Sequence, residues 1–448
     1  MQARIVICGA GIAGVAVAHA LALRGVQGVV LVDERPPLTL TSDKSSECYR
    51  DFWPGPGDAM VRLIGASIDR LEALARESQN AFRMNRRGYL YVSRAADGAA
   101  QLRQAAEEAA GLGAGPLRLN PREYQPSPLH GWEHAPRGAD LFDQPDLIAR
   151  HFPFLAADTT AVLHARRCGW LSAQQLGMYL LEQARSRGVQ LLEGRLQAIE
   201  VTNGAISCVE LDSGLRIDTP TLINCAGPHA ASIARLHGEE LPIFSERHLK
   251  FAFEDRLGVI PRDAPMVINA DSLRLDWSEE ERELLAEEPE TARLLEELPA
   301  GAHFRPEGEG SSLWVLTLWA YDAEPVPEIF PLPINEQFPE IAMRGVASIV
   351  PGLQRYLERP PRPIIDGGYY TKTRENRPLI GPMGTIGAYV LAALSGYGVM
   401  AACGAADLLA AHVLGEPVPA YASAFLLSRY DDPTYQALLA NWGSTGQL

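Results

Sequence analysis

The chain opens on an apolar run, Ile5-Val6-Ile7-Cys8, closed by Gly9. A short run of that kind, bounded by a turn residue, suits a strand buried on both faces. From Ile12 to Leu23 alanine and valine recur at helical spacing and stop at Arg24-Gly25, a helix-ending signal. Val29 to Val32 is a second buried strand, ended by Asp33-Glu34 and the Pro36-Pro37 pair. The opening segment therefore predicts a βαβ unit. Further on, the pattern predicts a Ser-rich loop from Thr41 to Ser46, a helix over Asp58 to Ser78 and a strand over Tyr89 to Val92. Residues 111–145 are rich in glycine and proline and read as an irregular excursion. A helix over Ala173 to Gly188 precedes strands at Val189 to Glu193 and Ala198 to Val201, and an apolar run leads into Leu222 to Gly227. Between 242 and 350 the composition changes, with an acidic helix pattern from Trp277 to Leu298 and an aromatic strand pattern from Ser312 to Tyr321. Gly387 to Gly415 closes with strand, glycine-rich turn and alanine-rich helix.

Length changes this picture first. At 448 residues, two domains are expected rather than one core. A content of 47% hydrophobic and 21% charged residues is that of a globular protein. The net charge of −15 argues against non-specific binding to nucleic acid or to an anionic membrane surface. The six cysteines, Cys8, Cys48, Cys168, Cys208, Cys225 and Cys403, show no CxxC spacing, so neither a disulfide framework nor a metal site is expected. No run of about 20 apolar residues predicts a membrane span. Met1 leads directly into a strand pattern without signal-peptide features, and a cytoplasmic location is the expectation.

Gly9-Ala10-Gly11-Ile12-Ala13-Gly14 fits G-x-G-x-x-G between a strand and a helix. Gly9 permits the tight turn, Gly11 lets the backbone approach a pyrophosphate, and Gly14 lets helix and strand pack closely. The helix start offers free N–H groups and a positive dipole end to phosphate. Asp33 stands about 20 residues further on, where a carboxylate can meet ribose hydroxyls, with Glu34 beside it. The unit alone does not separate NAD from FAD. Gly111-Leu112-Gly113 has no preceding strand, so a second dinucleotide domain is not expected.

These landmarks, taken in order, resemble the D-amino-acid-oxidase-like superfamily of FAD-dependent amine oxidoreductases, sarcosine oxidase, glycine oxidase and dimethylglycine dehydrogenase among them. The matching stretches are Gly9 to Gly14 with Asp33, Thr41 to Ser46, Cys168-Gly169-Trp170-Leu171-Ser172, Leu222 to Pro228, Thr371 to Pro382, and Leu394 to Met400. The resemblance implies an α/β (α+β) architecture: a discontinuous Rossmann-like FAD-binding domain from 1–80, 145–235 and 360–420, and a second mixed-sheet substrate domain from 81–144 and 236–359. Residues 421–448 form a C-terminal extension. It further implies that Ser45 and Ser46 pass the flavin, that the Leu196 backbone meets the adenine, and that Ala226-Gly227 closes the dinucleotide site. Gly396, Tyr397, Gly398, Val399 and Met400 would bring backbone N–H groups to the pyrimidine edge of the flavin.

For the substrate, the resemblance sets Arg50 over the flavin as a carboxylate clamp, a task suited to a guanidinium fork. Tyr370, Lys372 and Arg374 are expected near the flavin, with His248, His303 and Arg305 on strands along the pocket wall. Trp53, Trp319, Tyr369 and Tyr370 are candidate aromatic walls. The family's covalent flavin cysteine is replaced by Gly368, leaving non-covalent FAD as the expectation and Cys48 as the alternative anchor. The oxygen-activating lysine has no match, Val315 or a neighbour standing on its strand, so either oxygen or an electron carrier stays open as acceptor. The expected reaction is hydride transfer from a C–H next to the nitrogen of a small amine or amino acid to flavin N5. A hydroxylase or hydroxy-acid oxidase, or a flavin-holding subunit of a larger amine dehydrogenase, are the rival readings.

Overall fold

The computed structural model describes residues 1–53, 55–308 and 310–442. The βαβ unit forms as expected. Strand Ile5–Cys8 runs parallel to Val29–Asp33, with Val6 opposite Val30 and Cys8 opposite Val32, and helix Ile12–Leu23 crosses between them. That helix is buried on nearly every side, as a helix with no polar face must be.

Six strands complete the first sheet, in the order Leu379–Pro382, Ala388–Ala392, Leu222–Asn224, Ile5–Cys8, Val29–Asp33 and Gln190–Glu193. All pairings are parallel except the antiparallel edge strand Leu379–Pro382. Helices Ile12–Leu23, Ala59–Glu77, Ala173–Ser186 and Gly398–Leu414 pack together on one face of this sheet, sharing a core that includes Val15, Leu63, Leu180 and Leu409. The other face packs Val6 and Val30 against the three-stranded sheet Leu196–Thr202, Ala205–Leu211 and Arg216–Asp218.

The second domain is built on a nine-stranded mixed sheet. Its order is Ile364–Lys372, Phe244–Glu254, Trp314–Leu318, His303–Glu307, Met266–Asn269, Tyr89–Ser93, Ala161–Ala165, Ala139–Phe142 and Leu117–Leu119. Helix Phe338–Ala347 joins a core with Phe251, Phe253, Phe304 and Trp319.

Strands Ala161–Ala165 and Ile364–Lys372 pair within the nine-stranded sheet. Two expectations change. The acidic pattern from Trp277 to Leu298 is not one helix. A helix over Glu279–Ala286, capped by Ser278 and Glu281, stops before Pro289, which removes a backbone donor. The excursion over 111–145 contains two short strands, Leu117–Leu119 and Ala139–Phe142, paired in parallel. The C-terminal extension folds into single turns and helix Pro433–Ala440, and its last residues, 443–448, lie outside the described part of the chain. All six cysteines are free and buried. No helix among the described residues is long and apolar enough to cross a membrane.

Candidate active site

The glycine fingerprint is built as its spacing requires. Gly9 has φ of +104°, and a Cβ there would sit 2.4 Å from the Cys225 carbonyl oxygen. A Cβ on Gly14 would lie 1.8 Å from the Gly9 carbonyl oxygen, so helix and strand approach at a distance only glycine permits. Gly11 is the N-cap of helix Ile12–Leu23 and supplies no side chain, while the Ser42 hydroxyl accepts from Ile12 N at 2.9 Å. Each Asp33 carboxylate oxygen takes a backbone N–H, from Ala10 at 2.6 Å and from Arg35 at 3.0 Å. Asp33 thus pins the glycine loop to the strand and keeps lone pairs free for a ligand hydroxyl.

A cavity of about 880 Å³ runs from this turn, past Gly9, Gly11, Ile12, Ala13 and Asp33, between Ser45 and Ala226-Gly227, to Gly396, Gly398 and Val399. Its far end is the start of helix Gly398–Leu414, which has no side-chain cap and so presents bare N–H groups. The approach to that helix is tight: Ala393 and Ser395 have φ of +58° and +46°. Such left-handed backbone at non-glycine residues is costly and collects at functional sites. A groove with a glycine turn and helix start at one end, and an uncapped helix start at the other, fits a dinucleotide carrying a flavin. Of the expected cofactor residues, Gly14, Glu34, Ser46, Leu196, Tyr397 and Met400 are not on its lining. Leu196 is buried in the core beneath the three-stranded sheet, and Glu34 is exposed beside Arg35 and Arg195. Gly14 acts through packing alone.

A second, wider cavity lies on the nine-stranded sheet and meets the first at Gly396. Strand Ile364–Lys372 is the wall between them. Tyr369 and Thr371 line the dinucleotide cavity, and Tyr370 and Lys372 line the other, the period-two alternation of a strand. Ser45 and Ser46 divide in the same way, and Tyr397 and Met400 face the second cavity. A Cβ on Gly396 would meet the Tyr370 ring at 2.5 Å, so the two pack in direct contact at the junction.

Arg50, Trp53, His248, His303, Trp319, Tyr370, Lys372 and Arg374 all line this second cavity. Arg50 is 3% exposed; its guanidinium donates to the Tyr91 hydroxyl at 3.0 Å and lies 4.7 Å from the centre of the Trp53 ring. No carboxylate among the described residues pairs with it. Lys372 is committed instead to Glu246, at 2.7 Å. Arg374 is exposed at the cavity edge. Arg305 is withdrawn from the cavity: it donates to the Ser46 carbonyl and pairs with Glu47 and Glu307. Cys48, the alternative flavin anchor, has its thiol pushed up by burial, which leaves it a poor nucleophile.

Two site residues escape a motif-based reading. Glu246 bonds both Lys372 and His248, and Lys250 donates to the carbonyls of Asp43 and Ser45, fastening the Ser-rich loop. The signal was present as Glu246-x-His248-x-Lys250, polar side chains at every second position of strand Phe244–Glu254.

Residues 4–412 match the model of the DAO family, FAD dependent oxidoreductase. The fold is similar to that of L-proline dehydrogenase from P. horikoshii, with a TM-score of 0.72 and 19% identity over 96% of this chain and 98% of that one. Glycine oxidase from Geobacillus kaustophilus gives a TM-score of 0.73 and 15% identity over 96% and 99%. L-alpha-glycerophosphate oxidase from Mycoplasma pneumoniae, solved with FAD bound, gives 0.69 and 14% over 92% and 95%. With a family match over most of its length, this chain belongs to the DAO family of FAD-dependent oxidoreductases, and FAD is its cofactor.

Proposed function

We propose that the protein oxidises the C–N bond of a small carboxylate-bearing amine or amino acid, such as an N-methylated glycine or a D-amino acid. The observation that carries this reading is Arg50, a buried cation with no carboxylate of its own, on the wall of a cavity that opens onto the flavin end of the dinucleotide groove. A buried guanidinium is expensive without an anion, and a substrate carboxylate supplies one. FAD supplies the acceptor, at N5, for the hydride that leaves the carbon next to nitrogen. The chain's part is orientation: Arg50 fixes the carboxylate, while Trp53, Tyr91 and Tyr370 form an aromatic surround that favours an amine over bulk water. The glycine turn with Asp33 would hold the adenosine side, Ser45 and Ala226-Gly227 the diphosphate, and the start of helix Gly398–Leu414 the pyrimidine edge. Gly368 on the wall strand offers no covalent anchor, and we read FAD as non-covalently bound. Six buried free thiols suit the reducing cytoplasm. The electron acceptor is oxygen or a carrier protein.

An absorbance spectrum before and after acid precipitation, followed by anaerobic addition of amines, amino acids and hydroxy acids, tests the reading. Flavin released by acid and bleached by an amine carboxylate is the expected result. Bleaching by hydroxy acids or glycerol phosphate alone would favour the hydroxy-acid reading, for which the fold shared with the glycerophosphate oxidase speaks. A flavin that no small molecule bleaches would favour a flavin-holding subunit.

A further inference from the structure

The substrate cavity holds two histidines with different partners. His303 Nδ1 lies 2.8 Å from the Gly301 carbonyl oxygen, which fixes the proton on that nitrogen. No carboxylate among the described residues pairs with it, and burial, with His248 and Arg50 nearby, pushes its pKa down to about 4. His248 differs. Its Nε2 lies 3.1 Å from Glu246 Oε2, and the same oxygen receives Lys372 Nζ at 2.7 Å. Although burial opposes it, these two hydrogen bonds hold the Glu246 carboxyl below the usual range, so it is a carboxylate. A carboxylate can only accept, so Nε2 of His248 carries the proton and Nδ1 keeps its lone pair. The ring is stacked on Tyr370, centroids 4.0 Å apart at 15°, which fixes its plane beside the junction with the dinucleotide cavity.

An amine carboxylate in neutral water is a zwitterion. Hydride can leave the carbon only when the nitrogen lone pair is free to form the C=N bond, so one proton must first go. We propose that His248 accepts this proton from the substrate ammonium, with Glu246 and Lys372 as positioning residues. One N–H bond of the ammonium breaks, its electron pair stays on nitrogen, and an N–H bond forms at His248 Nδ1. The neutral amine is then the species oxidised, and His248 returns the proton to water after product leaves. The proposal rests on the amine reading above. It assigns the two histidines different tasks: burial disfavours an imidazolium at both, Glu246 opposes that at His248, and no carboxylate among the described residues does so at His303.

The groups that set this titration come from every element around His248. Burial holds the His248 ring below the usual histidine range; against it, Glu246 on its own strand and Asp322 after strand Trp314–Leu318 favour the protonated ring. Lys372 and Tyr370 come from the neighbouring strand, Lys372 opposing protonation. His303 acts from its own strand, and Arg50 lies across the same cavity.

The test uses the FAD-loaded enzyme with glycine, N-methylglycine, L-proline and iminodiacetate as probes, following anaerobic flavin bleaching from about pH 6 to about pH 10, a span that brackets histidine and amine titration. His248→Gln is expected to slow bleaching about 100-fold near neutrality, the usual size of a lost proton-transfer group. The loss should vanish in alkaline buffer, where the substrate arrives as a neutral amine. Glu246→Gln should give a smaller loss in the same direction. Calorimetric binding of α-aminoisobutyrate, an amine carboxylate with no Cα hydrogen, supplies a readout without turnover. Repeated in two buffers, it should show about one more proton released to buffer by His248→Gln than by the natural enzyme. Unchanged pH profiles and unchanged proton release in both variants would overturn the proposal while leaving the amine reading intact. No bleaching by any probe at any pH would overturn both.

Discussion

The guanidinium of Arg50 donates to the Tyr91 hydroxyl at 3.0 Å, and this neutral phenol, not a carboxylate, is its polar side-chain partner in a buried wall. Tyr91 itself has its pKa pushed up by burial, so it stays protonated and leaves the Arg50 charge uncompensated. A cation kept in that state is available to a substrate anion. Replacing Arg50 by Met should therefore weaken carboxylate binding by about 100-fold, the range for a lost buried charge-assisted pair. The variant should retain FAD and unfold at an equal or higher temperature, because a buried charge has been removed. Acetate titration monitored by the flavin spectrum, together with thermal unfolding, checks both halves. Unchanged acetate affinity would remove Arg50 from the substrate site.

Gly14 and Gly11 should respond differently to the same methyl group. The Gly14→Ala methyl would collide with the Gly9 backbone, which cannot move without breaking the turn, so little soluble FAD-bound protein is expected. The Gly11→Ala methyl would stand 3.2 Å from the Ser42 hydroxyl, a side chain that can rotate. That variant should fold and hold FAD more weakly. The ratio of flavin to protein absorbance after purification, with soluble yield, distinguishes the two outcomes.

Glu375 is buried next to the turn that carries Arg374 and Asn376. Its Oε1 accepts from Arg429 at 2.8 Å, from the Tyr430 hydroxyl at 2.8 Å and from the Tyr435 hydroxyl at 2.9 Å. Tyr397 in turn donates to the Asn376 carbonyl at 2.9 Å, tying this clasp to the cavity floor. Glu375→Gln leaves the Arg429 charge buried without its partner, and a loss of about 3–5 kcal/mol in unfolding free energy is expected. The double replacement Glu375→Met with Arg429→Met should cost less than the single one. Urea unfolding of the three proteins decides it, and a double variant weaker than Glu375→Gln would contradict the account.

Acid should destabilise the fold well before carboxylates protonate. Burial pushes His19 and His303 down to about 4 and His164 well below the usual histidine range. Between about pH 6.5 and pH 4 the unfolded chain binds protons at these sites that the folded chain refuses, so stability falls as pH drops through that window. Asp51 works against the trend: burial raises it to about 7, so the folded chain keeps a proton there that the unfolded chain has lost. His151, His237, His248 and His412 are also held down by burial, while Glu47 is raised as Asp51 is; the histidines outnumber the raised carboxyls, leaving a net loss toward acid and a plateau above about pH 7. Urea midpoints across this range should show it, and a flat profile would mean that these histidines are solvated.

Much of the dinucleotide groove was legible in local sequence. Gly9 to Gly14, Asp33, Ser45, Ala226-Gly227 and Gly396 to Val399 all sit on or beside its wall, because each is a turn or helix start whose geometry is fixed by its own few residues. The Leu196 side chain packs into a core and Glu34 is exposed, and a strand start reads the same in sequence whether its side chain faces a groove or a core. The Trp277–Leu298 pattern failed for a local reason that was visible, Pro289.

The substrate cavity divides differently. The residue types were in view, yet their partners were not. Lys372 was expected to meet a substrate or the flavin, and it meets Glu246, 126 positions away in the chain, because antiparallel pairing sets Glu246 opposite Tyr370. The same pairing sends Tyr369 and Tyr370 to different cavities. By itself the sequence determined the βαβ cradle, the order of elements and the reach for a flavin, since short-range sterics and periodicity dictate them. Which charges neutralise one another and which remain open for a ligand was decided only by the tertiary structure, because sheet register joins distant residues and burial sets the strength of every such pairing.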